Sequence, residues 1–320
     1  MFLNKNLRFL SNPFQPFLTR QPFIVLDGAL ATELEHRGAD LRDSLWSAKI
    51  LLENPDLIYQ VHLDYLKAGA DVITTASYQA SFPGFRQKGI GQKQAEELLQ
   101  LSVDLAQQAV DDFWQEPAHQ HARFKPIVAA SIGPYGAYLA NGSEYHGNYG
   151  VSAKVLEDFH RPRIEFLAKA GADVLAFETI PSWQEAQMLN HILSNFSNLK
   201  YWLSFNCNSR SDISDGTNFA KILVELNDFE NLVAVGINCT APEYIDPLLQ
   251  VAQTISHKPL MVYPNSGEIW NTEEQCWMHQ PNIKSLSEQA WQWHHAGARI
   301  IGGCCRTRPE DIRALRALIQ

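Results

Sequence analysis

The sequence Ala68-Gly69-Ala70-Asp71-Val72-Ile73-Thr74-Thr75 joins a glycine that can end a helix to a short apolar run rich in β-branched residues. The pattern recurs at Ala170-Gly171-Ala172-Asp173-Val174 and at Ala296-Gly297-Ala298-Arg299-Ile300. Glycine is favoured at the left-handed position that follows the last helical residue. Each copy therefore predicts the end of one helix and the start of the next strand, and the recurrence predicts a repeated β–α unit.

Strand-then-helix patterns of this kind occur along the whole chain. Eight short apolar runs, each followed by residues at helical spacing, lie at 23–26, 72–75, 126–132, 174–177, 201–205, 233–239, 260–263 and 298–301. Runs that are apolar throughout are typical of parallel strands buried on both faces. Eight such units with no linker-like change of composition predict an α/β fold, a single-domain (β/α)8 TIM barrel, rather than an open doubly wound sheet.

The barrel domain is predicted to span residues 23–320, after an N-terminal extension of residues 1–22. Three prolines, Pro13, Pro16 and Pro22, would break a long amphipathic helix in this extension. We therefore expect residues 1–22 to pack on the barrel rather than to act as a transit peptide.

The composition excludes several classes of protein. The 320 residues are 45% hydrophobic and 19% charged, which is ordinary for a globular protein. The net charge of -9 and the lack of Lys or Arg clusters argue against a nucleic-acid or membrane partner. No apolar run approaches the roughly 18 residues of a membrane span. Five cysteines, an odd and sparse number, predict a reducing compartment, the cytoplasm, rather than a disulfide framework.

Two long segments lack both strand and helix patterns. The first, residues 133–145, is rich in Gly and Tyr, and the second contains Trp270, Cys276 and Trp277. Long irregular segments in compact domains are commonly lids or binding loops. We predict that the Gly- and Tyr-rich segment covers the functional site.

Polar residues follow the apolar runs at the points where the strands should end. In a (β/α)8 barrel the active site lies at the carboxyl ends of the strands. We therefore expect one site that gathers residues distant in sequence: Asp27, Thr75, Gly133, Glu178, Asn206, Cys239, Asn265, Cys304 and Cys305.

Three of these residues are cysteines on two strand ends. Cys304 and Cys305 follow Gly302-Gly303, whose flexibility should let both thiols face one point, and Cys239 ends the sixth run. Three thiolate ligands with one open position are the pattern of a catalytic Zn²⁺ site, whereas a structural site has four protein ligands. The alternatives are buried cysteines that act as small apolar residues and a redox-active vicinal disulfide.

Three thiolates would give a Zn²⁺ site a net charge of about −1. Such a site polarises a carbonyl group or acidifies water less well than a site with neutral histidine ligands. It is suited to binding a fourth sulfur, which loses its proton but stays nucleophilic. The chemistry that this arrangement favours is alkyl transfer to a thiol from an activated donor.

The same residues resemble a known family. Gly302-Gly303-Cys304-Cys305, Asn238-Cys239 and Asp27-Gly28 are similar to motifs of the homocysteine S-methyltransferase family, and the resemblance extends over residues 26–318. The chain most resembles the branch that uses S-methylmethionine, through residues 43–49 (DSLWSAK), 76–80 (ASYQA), 133–139 (GPYGAYL), 160–163 (HRPR) and 263–268 (YPNSGE). The resemblance implies a (β/α)8 barrel and a zinc-dependent methyltransferase of methionine biosynthesis.

The resemblance also implies roles for individual residues. One Zn²⁺ would be held by three catalytic cysteines, Cys239, Cys304 and Cys305. Homocysteine would bind this metal through its sulfur, while Glu178 would bind its amino group. Asp27 and Gly28 would line the same pocket, with the Gly28 amide available to the substrate carboxylate. Ala29 follows Gly28 where the family often has a second glycine.

Other residues are assigned to substrate binding from the same resemblance: Trp46, Tyr78, Gln79, Tyr135 and Asn265. Aromatic faces attract a cation such as sulfonium by roughly 0.5–2 kcal/mol, and Tyr263 is a further candidate. Thr179 stands where betaine-using relatives have Tyr, which disfavours betaine as the donor. The predicted reaction moves the sulfonium methyl of S-methylmethionine to homocysteine and forms two molecules of methionine.

The sequence leaves several alternatives open. S-adenosylmethionine or betaine could be the donor, and selenocysteine could be the acceptor. A protein of a different class would be a non-catalytic zinc or redox-sensing barrel built on the Cys304–Cys305 pair. Asp27 and Glu178 could instead cap helices, and the aromatic residues could be ordinary wall residues.

Overall fold

Ten β-strands occur in the part of the chain that the structure, a computed structural model, describes: residues 12–121, 123–271, 276–278 and 284–320. They are β1 (Ile24–Val25), β2 (Val72–Thr74), β3 (Ile127–Ile132), β4 (Val174–Ile180), β5 (Tyr201–Phe205), β6 (Leu232–Asn238), β7 (Leu260–Tyr263), β8 (Ile269–Asn271), β9 (Cys276–Met278) and β10 (Ala298–Ile301). Eight of them form one parallel sheet in the order β1-β10-β7-β6-β5-β4-β3-β2. A parallel bridge between Leu26 and Val72 joins the two edges of this sheet, which therefore closes into a barrel.

Helices alternate with these strands, as a (β/α)8 barrel requires. They are α1 (Gln15–Leu18), α2 (Leu30–His36), α3 (Ile50–Glu53), α4 (Pro55–Ala68), α5 (Phe82–Gln87), α6 (Gln92–Gln115), α7 (Pro117–Gln120), α8 (Tyr135–Leu139), α9 (Ala153–Leu167), α10 (Trp183–Leu193), α11 (Phe219–Leu226), α12 (Pro242–Ile255), α13 (Leu286–His295) and α14 (Pro309–Arg316). Two 3-10 helices span Trp46–Lys49 and Ser143–Tyr145. The predicted fold class is confirmed. Within the described residues, no helix has the length and apolar character needed to cross a membrane.

The repeated glycines connect helices to strands as the sequence predicts. Gly69, Gly171 and Gly297 have φ values of 116°, 101° and 106°, which an L side chain would adopt only with strain. Gly69 is the C-cap of α4, and its N–H donates to the Leu66 carbonyl at 3.1 Å. Each glycine therefore stops a helix and turns the chain into a strand.

Side chains alternate along the strands between the barrel interior and the layer beneath the helices. In β1, Ile24 belongs to the interior cluster and Val25 to the cluster under the helices. The interior is filled by apolar residues from every strand of the barrel, including Val72, Ala129, Val174, Trp202, Ala234, Met261 and Ile300. The barrel is thus a packed core whose polar groups are left for the ends of the strands.

The described part of the N-terminal segment lies against this interior. Phe14 and Phe17 are buried in the interior cluster, and the ring of Phe14 lies 6.0 Å from that of Trp202. The Arg299 guanidinium donates to the carbonyls of Leu18 at 2.8 Å and Pro22 at 2.9 Å. Residues 1–11 lie outside the described residues, so the assignment of 1–22 as one extension stays a prediction.

Both segments predicted to be irregular contain regular structure. The first holds α8 and the 3-10 helix Ser143–Tyr145, and the second holds the antiparallel hairpin of β8 and β9. Elements of three to five residues are too short to show a helical or strand period, which explains why the sequence prediction was wrong here. β4 also continues beyond the predicted 174–177 to Ile180, so that Glu178 and Thr179 lie on the strand itself.

Candidate active site

A cavity of about 520 Å³ opens at the carboxyl ends of the barrel strands. Its wall contains most of the residues predicted for the site: Asp27, Gly28, Trp46, Tyr78, Gln79, Glu178, Cys239, Cys304 and Cys305. These residues come from six separate parts of the chain. The closed barrel brings them together, as its geometry predicts.

The three cysteines of the wall form one thiol cluster. Their Sγ atoms all lie within 4.8 Å of one another, and the Cys239 and Cys305 sulfurs are 3.6 Å apart. Zinc–sulfur bonds of about 2.3 Å in a tetrahedron require sulfurs roughly 3.8 Å apart. The cluster can therefore hold a metal ion after only small shifts of the Cys304 side chain.

The two glycines before Cys304 serve a different purpose from the one predicted. Neither Gly302 nor Gly303 has a positive φ. A Cβ atom on Gly302 would lie 2.5 Å from the Leu26 Cβ, and one on Gly303 would collide with the Thr307 side chain. These glycines are needed because β1 and the Thr307 turn pack closely against the strand end, and flexibility of the backbone is not the reason.

The metal-free cluster carries its negative charge on one sulfur. Hydrogen bonds with Cys304 and Cys305, together with burial, raise the pKa of the Cys239 thiol. Hydrogen bonds from Cys239 and Cys304 lower the pKa of Cys305. Three thiols this close cannot all ionise on their own, because the charges would repel one another. A cation is required to bring all three into the thiolate form.

Two buried acids lie beside the cluster. The Asp27 carboxylate accepts the Thr74 N–H at 2.7 Å and the Thr74 hydroxyl at 3.0 Å, and Glu178 accepts the hydroxyls of Ser131 and Tyr263. Burial raises the pKa of Asp27 to about 8 and that of Glu178 to about 7. Both carboxyl groups are held by strand residues, so neither caps a helix. A cationic ligand group would favour ionisation of both.

Asn238 connects the Glu178 strand to the Cys239 strand. Its side chain accepts the Thr179 N–H at 2.7 Å and donates to the Thr179 hydroxyl at 2.8 Å. It also accepts the Ser204 hydroxyl at 2.8 Å. Asn238 therefore fixes the residue after Glu178 while standing directly before Cys239.

Replacing Asn238 by alanine is expected to lower the free energy of unfolding by about 2–3 kcal/mol, because the buried Thr179 N–H would be left unpaired. Methyl transfer should fall as well, since the strand ends that carry Glu178 and Cys239 would lose their link. Ser204→Ala is the matched control, because it removes one hydrogen bond to Asn238 and leaves Thr179 paired; we expect about 1 kcal/mol. Urea unfolding measures both values, and equal stability of the two variants would show that the Thr179 contacts are unimportant.

Left-handed backbone conformations are concentrated in this cavity. Among the described residues, five that are not glycine have a positive φ, and every one of them lines the wall: Trp46, Ala140, Thr179, Cys239 and Arg306, with φ between 48° and 69°. Such conformations cost about 1–3 kcal/mol each and persist only where surrounding contacts hold them. The fold therefore places its backbone strain where the candidate chemistry lies.

Two predicted site residues do not reach the cavity wall. Tyr135 begins α8, its N–H donates to Glu185 at 2.6 Å, and its ring packs 5.1 Å from that of Phe159. Asn265 lies beside the wall, where its N–H donates to the Thr240 carbonyl at 3.1 Å. For Tyr135 the reason is the anchoring of α8 to α10, which turns the ring away from the thiols.

Several wall residues were not predicted from the sequence. Ser131 and Thr74 hold the two buried acids, while Glu144 and Tyr145 reach the cavity from the 3-10 helix after α8. Ser131 is a hydroxyl residue inside an apolar run, which is the one sequence feature that could have indicated it. Nothing in the sequence separates Tyr145 from the other tyrosines of its segment.

The fold and the site define a barrel enzyme built around a thiol cluster that can hold a metal ion. The family model described as homocysteine S-methyltransferase matches residues 24–319. Homocysteine S-methyltransferase YbgG of Bacillus subtilis is 50% identical over 96% of this chain and 97% of its own length. Selenocysteine Se-methyltransferase of Brassica oleracea is 43% identical over 92% and 88% of the two chains. The crystal structure of the metallated form of homocysteine methyltransferase MmuM from Escherichia coli matches with a TM-score of 0.86 and 44% identity, over 96% of this chain and all of that one.

The chain belongs to the homocysteine S-methyltransferase family. This membership makes it a methyltransferase and confirms the resemblance found in the sequence motifs.

Proposed function

We propose that this protein transfers the methyl group of S-methylmethionine to the sulfur of homocysteine in the cytoplasm, using one Zn²⁺ per chain. The observation that carries the proposal is the thiol cluster itself: three cysteine sulfurs converge beside two buried acids, and the described residues supply no fourth ligand. An open position beside two carboxylates suits an amino acid that carries a thiol.

Cys239, Cys304 and Cys305 fit the requirements of zinc in ligand type, number and spacing. Bound there, the metal would supply an ionised, nucleophilic acceptor sulfur at neutral pH. The chain's own groups do the remaining work: Glu178 and Asp27 would bind and orient the homocysteine ammonium, and the lid would exclude water. Holding the two sulfur compounds in line accounts for much of the rate enhancement.

The transfer itself is a direct displacement. A bond forms between the acceptor sulfur and the methyl carbon while the bond from that carbon to the sulfonium breaks. The bonding electrons return to the donor sulfur, which becomes a neutral thioether, and the thiol proton has already left to solvent. Both products are methionine, so no separate base is required at the moment of transfer.

The donor side of the cavity suits a sulfonium cation. The rings of Trp46 and Tyr78 meet edge to face with centroids 5.9 Å apart, and Tyr145 lines the same wall. Aromatic faces attract cations, and the cavity is rich in carboxylates. These features favour S-methylmethionine, which carries a net positive charge, over betaine, which is neutral overall.

Methionine formation from homocysteine tests the donor directly. With zinc-loaded protein and equal donor concentrations, we expect S-methylmethionine to give at least about 10-fold higher kcat/KM than S-adenosylmethionine or betaine, which corresponds to roughly 1.4 kcal/mol. A higher value with betaine would overturn the donor assignment. No transfer from any of the three would overturn the reaction.

A second acceptor is favoured by one comparison, the 43% identity to a selenocysteine Se-methyltransferase. Selenocysteine has the same charged groups as an amino acid of this kind and a softer nucleophile, so the same acids and metal site would accept it. Competition between the two acceptors measures the preference. Membership in an enzyme family argues against the remaining alternative, a non-catalytic zinc or redox-sensing barrel.

A further inference from the structure

The lid over the cavity, residues 133–150, is held in place by two contacts that do not involve the thiols. The Glu185 carboxylate accepts the Tyr135 N–H at 2.6 Å and the Tyr149 hydroxyl at 2.8 Å, which ties both ends of the lid to α10. Within the lid, Gly136 packs so closely that a Cβ atom there would lie 2.5 Å from the Glu144 nitrogen. The backbone of Glu144 is therefore fixed before any substrate binds.

Glu144 presents its carboxylate to the cavity. It lines the wall, and its Oε2 atom is buried without a hydrogen-bond partner among the described residues. Burial raises the pKa of this carboxyl group. A buried oxygen without a donor is costly, because it has given up water and gained nothing in exchange. The position of Glu144 is thus suited to a ligand that brings a hydrogen-bond donor.

The other carboxylates of the wall already have partners or face solvent. Asp27 and Glu178 are bound to strand hydroxyls as described above, Asp43 accepts the Lys88 ammonium at 2.7 Å, and Glu35 is exposed. Glu144 is therefore the wall acid whose buried oxygen still lacks a donor.

The charge of the wall calls for a cationic ligand. Five acids line it, Asp27, Glu35, Asp43, Glu144 and Glu178, against a single Lys or Arg among the described lining residues, Arg306. Arg306 is paired with Glu268, whose carboxylate it contacts at 2.6 Å. The proposed substrates bring two ammonium groups and one sulfonium. The ammonium of homocysteine is assigned to Glu178 and Asp27, so the cationic groups of the donor remain.

The two cations of the donor differ in what they can offer an oxygen. A sulfonium has no N–H or O–H to donate and is stabilised by ring faces and by charge at a distance. An ammonium carries three hydrogen-bond donors, and its bond to a carboxylate is of the strong, charge-assisted kind. We propose that Glu144 binds the α-ammonium group of the methyl donor and so selects donors that are amino acids. This inference rests on the proposed function, since it names a contact for its second substrate.

The test compares two donors that differ only in this ammonium: S-methylmethionine and its des-amino analogue, 4-(dimethylsulfonio)butanoate. Wild-type protein should prefer S-methylmethionine, and Glu144→Gln should lower kcat/KM for it by about 10- to 100-fold. The same variant should change kcat/KM for the analogue by less than about 3-fold, with zinc content and the KM for homocysteine unchanged. Glu144→Asp, which keeps the charge on a shorter side chain, should fall between the two.

Glu35→Gln is the matched control, because it removes one carboxylate of the wall that faces solvent. The ratio of the two donors should stay within about 2-fold of wild type in this variant. An equal loss of ratio in both variants would assign the effect to the overall charge of the cavity and overturn the contact with Glu144. An unchanged ratio in Glu144→Gln would overturn it as well. Failure of the wild type to use either donor would instead refute the proposed function.

Discussion

Cys304→Ser is expected to abolish stoichiometric zinc binding and to lower methyl transfer by about a thousandfold or more. A serine hydroxyl is a poor zinc ligand at neutral pH, and two remaining thiolates do not complete the site. The acceptor sulfur would then lose the ionisation that a metal supplies, which is worth several kcal/mol. Zinc content by elemental analysis and methionine formation, measured on the same preparation, check the two parts of this prediction.

Cys207→Ala provides the control for this experiment. Cys207 also follows a strand, but it lies outside the cavity wall, and burial raises the pKa of its thiol to a value at which it stays protonated at neutral pH. We expect its replacement to leave zinc content and transfer at wild-type levels. Full zinc and full activity in Cys304→Ser would contradict the assignment of the thiol cluster as the metal site.

Glu178→Gln is expected to lower kcat/KM for homocysteine by about 100-fold, since the ammonium of the acceptor would lose a charge-assisted hydrogen bond in a buried site. Zinc content should not change, because Glu178 contacts Ser131 and Tyr263 rather than a cysteine. The des-amino acceptor 4-mercaptobutanoate separates this effect from a general loss of structure. The variant should use that compound about as well as wild type does, and a 100-fold loss with both acceptors would argue against an ammonium contact.

The pH dependence of amino acid binding follows from the same pair. Burial raises the pKa of Glu178 to about 7 and that of Asp27 to about 8, so both carboxyl groups hold protons at pH 6 in the empty site. An ammonium requires them ionised. The affinity for L-methionine, whose thioether does not titrate, should therefore rise from pH 6 to pH 8 and level off above pH 8. Glu178→Gln should flatten this rise, and a wild-type affinity independent of pH would contradict the raised pKa values.

The fold could be predicted from the sequence because its information is local. The glycines at 69, 171 and 297 end helices wherever they are placed, and apolar runs such as 201–205 mark strands without reference to the rest of the chain. The thiol cluster was also within reach, since cysteines at strand ends must converge once a closed barrel is assumed.

The contacts that complete the site depend on partners far away in sequence. Tyr135 and Tyr145 belong to one Gly- and Tyr-rich segment, yet only Tyr145 lines the cavity. The choice between them is made by Glu185, which binds the Tyr135 N–H from 50 positions away. The close packing that requires Gly303 likewise depends on Thr307 folding back over it.

The five left-handed residues of the cavity wall, Trp46, Ala140, Thr179, Cys239 and Arg306, have a consequence for protein engineering. Glycine at any of these positions would relieve backbone strain of about 1 kcal/mol or more. A laboratory selection for heat resistance alone would therefore be drawn to the rim of the catalytic cavity, where the gain in stability is easiest to obtain and the loss of activity is greatest. A library designed for a more robust enzyme should hold these five positions constant and vary the helical layer instead.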